Sequence, residues 1–131
     1  MKQLKIIYVS VFLLLIPLWG NAQKNIELQD PSGKVLIKIS LGSNITYSVF
    51  HGEDIMIEAS PISMTLTDGT VFGKEPRLKK EKRRSINEKI YPPIYKKNVI
   101  EDCYNEITLV FKDEYSLIFR AYEDGMAYRF V

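Results

Sequence analysis

The feature that most limits the fold of this chain is a two-residue apolar period, repeatedly reset by turn chemistry. Val35, Ile37, Ile39 and Leu41 alternate with Leu36, Lys38 and Ser40, so one face of the segment is apolar. Asp30-Pro31-Ser32-Gly33 precedes it as a turn and separates it from a short strand over Ile26–Leu28. Gly42-Ser43-Asn44 then leads into a strand from Ile45, with Ile45, Tyr47 and Val49 facing inward. His51-Gly52-Glu53-Asp54 turns the chain again into Ile55–Ile57. Pro61 is expected to interrupt any continuous strand, and Met64–Leu66 resumes before the Asp68-Gly69 turn. Further on, Ile107, Leu109 and Phe111 share a face, as do Tyr115, Leu117, Phe119 and Ala121 after a turn at Lys112-Asp113-Glu114. Strands of this length with turns at this spacing predict an all-β, antiparallel sandwich.

Asp124-Gly125 is the strongest short-range hairpin signal, and it predicts a two-residue type I′ turn. Centring the turn there pairs Glu123 with Met126, Arg120 with Arg129 and Phe119 with Phe130. Two arginines directly opposite repel unless an anion lies between them. Either a carboxylate or a bound anion bridges Arg120 and Arg129, or both side chains splay into screening solvent.

Between Phe72 and Tyr91 the alternation gives way to charge. Lys74, Arg77, Lys79, Lys80, Lys82, Arg83, Arg84 and Lys89 dominate, interspersed with Glu75, Glu81 and Glu88. Leu78 and Ile86 alone are too few for the apolar stripe of a buried helix. A basic run can bind nucleic acid, but in a chain without net mature charge a solvated loop is the better reading. Tyr91-Pro92-Pro93-Ile94-Tyr95 closes it in extended conformation.

The N-terminus has the three parts of an export signal. Lys2 and Lys5 form the basic region, Ile6 to Leu18 the apolar core, and Gly20-Asn21-Ala22 a cleavage site ahead of Gln23. The expected organisation is a signal peptide at 1–22 and a β-sandwich domain at 23–131, periplasmic or secreted and without membrane attachment after cleavage. The formal charge of +2 loses both leader lysines and becomes zero, so no nucleic-acid partner is expected. Cys103 is the single cysteine and cannot close an internal disulfide.

Candidate chemistry is sparse. His51 is the single histidine and sits in a turn. Glu53-Asp54 and Glu123-Asp124 are adjacent carboxylates at turn tips, where solvent screens them. Glu106, two residues after Tyr104, is either a sugar-facing group or part of an ordinary outer face. No catalytic, cofactor-binding or metal-binding residue is assigned from these patterns.

The Asp30-Pro31-Ser32-Gly33-Lys34 opening, Ile45-Thr46-Tyr47-Ser48-Val49, Ser60-Pro61-Ile62, Tyr104-Asn105-Glu106 and the run from Arg120 to Phe130 resemble the N-terminal domain of glycoside hydrolase family 97. That resemblance implies a galactose-mutarotase-like supersandwich, present here in part and incomplete at its C-terminal end. It implies a following (β/α)8 barrel that carries the catalytic carboxylates and a calcium ion. The parent activity would be that of an exo-acting α-glucosidase or α-galactosidase on an oligosaccharide or glycan. This chain would then be inactive alone. A standalone glycan-binding module using Tyr91, Tyr95 and Tyr104 is the alternative.

Overall fold

The computed structural model describes residues 23–94 and 99–131; the segment expected to be an export signal and Tyr95 lie outside them. Ten strands follow in order: β1 (Lys24–Gln29), β2 (Val35–Leu41), β3 (Ile45–His51), β4 (Asp54–Ile62), β5 (Met64–Thr65), β6 (Val71–Phe72), β7 (Leu78–Ile90), β8 (Ile100–Phe111), β9 (Ser116–Tyr122) and β10 (Gly125–Phe130). They form two four-stranded antiparallel meanders, β1-β2-β3-β4 and β10-β9-β8-β7, plus a β5-β6 ribbon.

The two-residue period is what closes this sandwich. Ile37, Ile39 and Ile45 from the first sheet meet Ile107, Leu109, Phe111, Leu117 and Phe119 from the second, all essentially without solvent contact. Each such side chain contributes about 1.5–3 kcal/mol by leaving water, which is how two amphipathic sheets hold together without a disulfide.

The sheets are staggered by about one strand. β1 lies against β8 and β9, and β2 against β9 and β10, so β4 and β7 overhang on opposite margins. This stagger explains a correction. The basic segment expected to be a solvated loop is strand β7, paired with β8 from Leu78↔Phe111 to Ile90↔Ile100. An overhanging edge strand has most of both faces in water and needs no apolar alternation. Its lysines also discourage pairing with another chain.

Pro61 likewise does not end its strand. It lies within β4, opposite Thr46, because β4 is an edge and the missing N–H deprives no neighbour. The hairpin differs as well. Gly125 pairs with Tyr122, leaving Glu123-Asp124 as the two-residue turn, with no positive φ at any of the three. The slide preserves which face is buried, and it sets Arg120 opposite Ala127 and Tyr128 opposite Phe119. Separation of the two arginines favours this register. So does the packing of Tyr128 on Phe119 and Tyr47, at ring separations of 5.8 and 5.5 Å.

One end of the core is sealed by the ribbon. Phe72 stacks on Tyr115 at 4.6 Å, and Tyr115 on Phe111 at 4.7 Å. Gly73 turns the chain away with φ of 95°, and its N–H donates to the Tyr115 hydroxyl at 3.2 Å.

Candidate functional site

Strand register assembles one charged cluster on the outer face of the second sheet. Glu106 sits mid-β8, between Arg84 on β7 and Arg120 on β9, each directly opposite it. Arg84 donates from Nε to Oε1 at 2.6 Å and from Nη2 to Oε2 at 3.2 Å. Arg120 donates from Nε to Oε2 at 2.7 Å. The Arg120 guanidinium also lies 4.4 Å over the Tyr104 ring, which in turn packs on Tyr122 at 5.2 Å. Covered in this way, Glu106 and Tyr104 are each only 4% exposed.

Two opposing effects act on the Glu106 carboxyl. Burial pushes its pKa up, but the hydrogen bonds and charges of Arg84 and Arg120 outweigh burial and hold it below the usual carboxylate range. Arg120 is held above its ordinary value, chiefly by Glu106 and then by Tyr122. A carboxylate kept ionised, with Oε2 accepting from both arginines and Oε1 from Arg84, has no proton to donate. The cluster is a clamp between three strands, not a general acid. It also supplies the carboxylate partner that Arg120 needs; Arg129 stands apart, opposite Ile118.

The other sequence candidates are placed as follows. His51 and Cys103 line one cleft of about 540 Å³ at an end of the sandwich, with Lys34, Glu101, Tyr122, Glu123 and Asp124. No hydrogen bond joins Cys103 to His51; Lys34 instead ion-pairs with Glu123 across the cleft. Glu53 and Asp54 are exposed at the β3–β4 turn. The positive charges of β7 and of the residue before it are partly neutralised locally: Arg83 bonds Glu81 at 2.8 Å, and Arg77 pairs with Asp113. Among the described residues no three His, Cys, Asp or Glu side chains converge as metal ligands. The aromatic surface proposed for glycan loses Tyr104 to burial, while Tyr91 is exposed.

Sequence patterns missed Arg84, Arg83 and Asn105. Arg83 Nη1 donates to the Glu27 carbonyl at 2.9 Å, and Asn105 Nδ2 to the Gln29 carbonyl at 2.8 Å, bridging the two sheets. No local signal marks these residues, because their partners are 56 and 76 positions away.

Comparison with known proteins adds a separate line. The family model described as glycosyl-hydrolase 97 N-terminal matches residues 28–131. A retaining alpha-galactosidase from Bacteroides thetaiotaomicron is 39% identical over 131 residues, covering all of this chain and 19% of that protein. A glycoside hydrolase family 97 enzyme from Pseudoalteromonas sp. strain K8, solved in complex with acarbose, superimposes with a TM-score of 0.72 at 25% identity. That match covers 80% of this chain and 17% of the enzyme. A beta-arabinopyranosidase structure gives 0.72 at 21% identity, over 82% of this chain and 18% of its own, a likeness of fold alone. The chain therefore spans about a fifth of the length of these relatives.

Proposed function

The chain belongs to the glycosyl-hydrolase 97 N-terminal family, and from that membership we propose that it is the carbohydrate-associated sandwich that buttresses the catalytic barrel of an exported, exo-acting α-glycosidase. The match over residues 28–131 carries this reading, because it covers nearly all of the described sandwich. Acid–base chemistry on a glycosidic bond needs two carboxyls placed on either side of it, one of them able to give up a proton. Glu106 cannot serve, and the paired carboxylates at Glu53-Asp54 and Glu123-Asp124 lie on exposed turns. Catalysis on this reading belongs to the barrel. The calcium ion expected of such an enzyme would belong there too, since Glu106 is already paired with two arginines and, among the described residues, the turn carboxylates do not converge on one point.

The domain's own contribution is mechanical: a rigid two-sheet wall, pinned by the Arg84–Glu106–Arg120 clamp, against which an active site can be held in register. The test has two arms. The purified chain is assayed on p-nitrophenyl α-galactoside and α-glucoside, with no hydrolysis expected. A chimera in which this chain replaces the matched region of the retaining alpha-galactosidase is expected to hydrolyse the galactoside. Turnover by the chain alone, or a folded chimera without activity, overturns the proposal. Export is tested by N-terminal sequencing of the mature protein, expected to begin at Gln23.

A further inference from the structure

The stagger leaves a trough between the β1 edge and the overhanging β7, about 670 Å³ in volume, lined by residues 27–29 and 83–85 with Asn105 and Glu106. Its chemistry is set by the backbone groups that β1 turns outward. The Asp30 N–H donates to the Val35 carbonyl, so antiparallel alternation points the N–H and C=O of Glu27 and Gln29 away from β2 and into the trough. Both carbonyls are already taken, by Arg83 Nη1 at 2.9 Å and Asn105 Nδ2 at 2.8 Å. Among the described residues no group accepts from the two N–H groups. The capping side chains also present only donors. Ser85 Oγ donates to Asn105 Oδ1 at 2.6 Å, so the amide oxygen is occupied and the NH2 faces β1. Arg83 uses Nε on Glu81 and Nη1 on Glu27, which leaves Nη2 on a side chain that is 50% exposed.

The nearby carboxylates are turned away or neutralised. Glu27 projects from the face opposite the inward Ile26 and Leu28, and its carboxylate lies 3.8 Å from Lys38. Glu81 is held between Arg83 at 2.8 Å and Lys24 at 3.9 Å, and Glu106 between Arg84 and Arg120. Each of these triads carries one positive charge in excess. A slot whose free groups are N–H donors, under a positive excess, receives an oxyanion. An added peptide strand does not fit, because its own N–H groups would meet carbonyls that are already capped. The volume is that of a small-molecule site. A sugar acid matches what remains: carboxylate oxygens for Arg83 and the backbone N–H groups, and hydroxyl oxygens for the Asn105 NH2.

We propose that the trough between β1 and β7 binds a hexuronic acid, its carboxylate received by the Arg83 guanidinium and the Gln29 N–H; that the acid is a sugar rests on the carbohydrate association of the proposed function. Amide NMR on the purified chain, titrated with galacturonate, tests it. Saturable shifts are expected at the Glu27 and Gln29 backbone amides and at the Asn105 NH2. Galactose, inorganic sulfate and tetraglutamate are each expected to bind about tenfold or more weakly. Arg83→Ala and Gln29→Pro each weaken galacturonate binding about tenfold, the second because it removes an outward N–H without touching the β2 ladder. Gln29→Ala keeps that N–H and preserves binding. So does Lys82→Ala, which removes a charge of the same strand outside the trough. Equal binding of galactose means that no carboxylate is recognised and overturns the site. Equal binding of sulfate or tetraglutamate reduces the trough to a general anion patch and overturns it as well. Equal losses in Lys82→Ala and Arg83→Ala do the same, whether or not Gln29→Pro folds. A chain that does not bind galacturonate, beside an active chimera, overturns the uronate site and leaves the proposed function standing. An inactive but folded chimera counts against the proposed function, whatever the titration gives.

Discussion

The Glu106 clamp concentrates the chemistry of this chain in three side chains on neighbouring strands. Replacing Glu106 by Gln leaves two arginines without a counter-charge and is expected to cost about 2 kcal/mol, read as a lower urea midpoint at pH 7. Its acid dependence follows from the same contacts. The folded-state pKa of Glu106 lies below the ordinary value of 4.5, so its stabilisation is fully present above that value and is lost as the pH falls through the folded value. Asp30 acts in the same direction: burial raises it, but the Ser32 and backbone hydrogen bonds prevail. Stability of the native chain is expected to hold down to about pH 5 and fall below it, and Glu106→Gln should flatten that fall. At Gly73 the limit is steric. A Cβ there would lie 2.3 Å from the Ile62 carbonyl oxygen, on a backbone with positive φ. Gly73→Ala is expected to cost about 2–4 kcal/mol in the same measurement, since both the strain and the clash must relax.

Strands were more legible than their edges. Inward positions in β2, β8 and β9 follow directly from alternation, because every second side chain of those strands enters the core. Alternation says nothing of β7, where a margin strand meets water on most of both sides and charge is no penalty. It also could not place the Glu123-Asp124 turn. Slides by two residues keep the same side chains inward, so the apolar pattern cannot choose between them; aromatic contacts with Tyr47 on the other sheet can. The β1 edge supplies a test at this scale. Arg83→Ala and Asn105→Ala free the Glu27 and Gln29 carbonyls, and each is expected to cost about 1 kcal/mol. The double variant should also form larger species on size-exclusion chromatography, because an unguarded edge accepts other strands.

At the scale of the whole molecule, charge and stagger govern behaviour. A chain starting at Gln23 carries 16 Lys and Arg (18 less Lys2 and Lys5) against 16 Asp and Glu. Its solubility is expected to pass through a minimum near neutral pH and rise on either side, which turbidity across a pH series would show. A minimum displaced by more than about two pH units would mean that the ionisation of the folded chain is dominated by shifts other than those at Asp30 and Glu106. Fold class and the buried faces of the central strands were determined by local sequence alone, because a two-residue period and turn chemistry act between near neighbours. The hairpin register, the identity of β7, the one-strand stagger and the carboxylate clamp were decided only when the two sheets met. Each depends on groups from distant parts of the chain that touch through tertiary packing, and no window of sequence contains both partners.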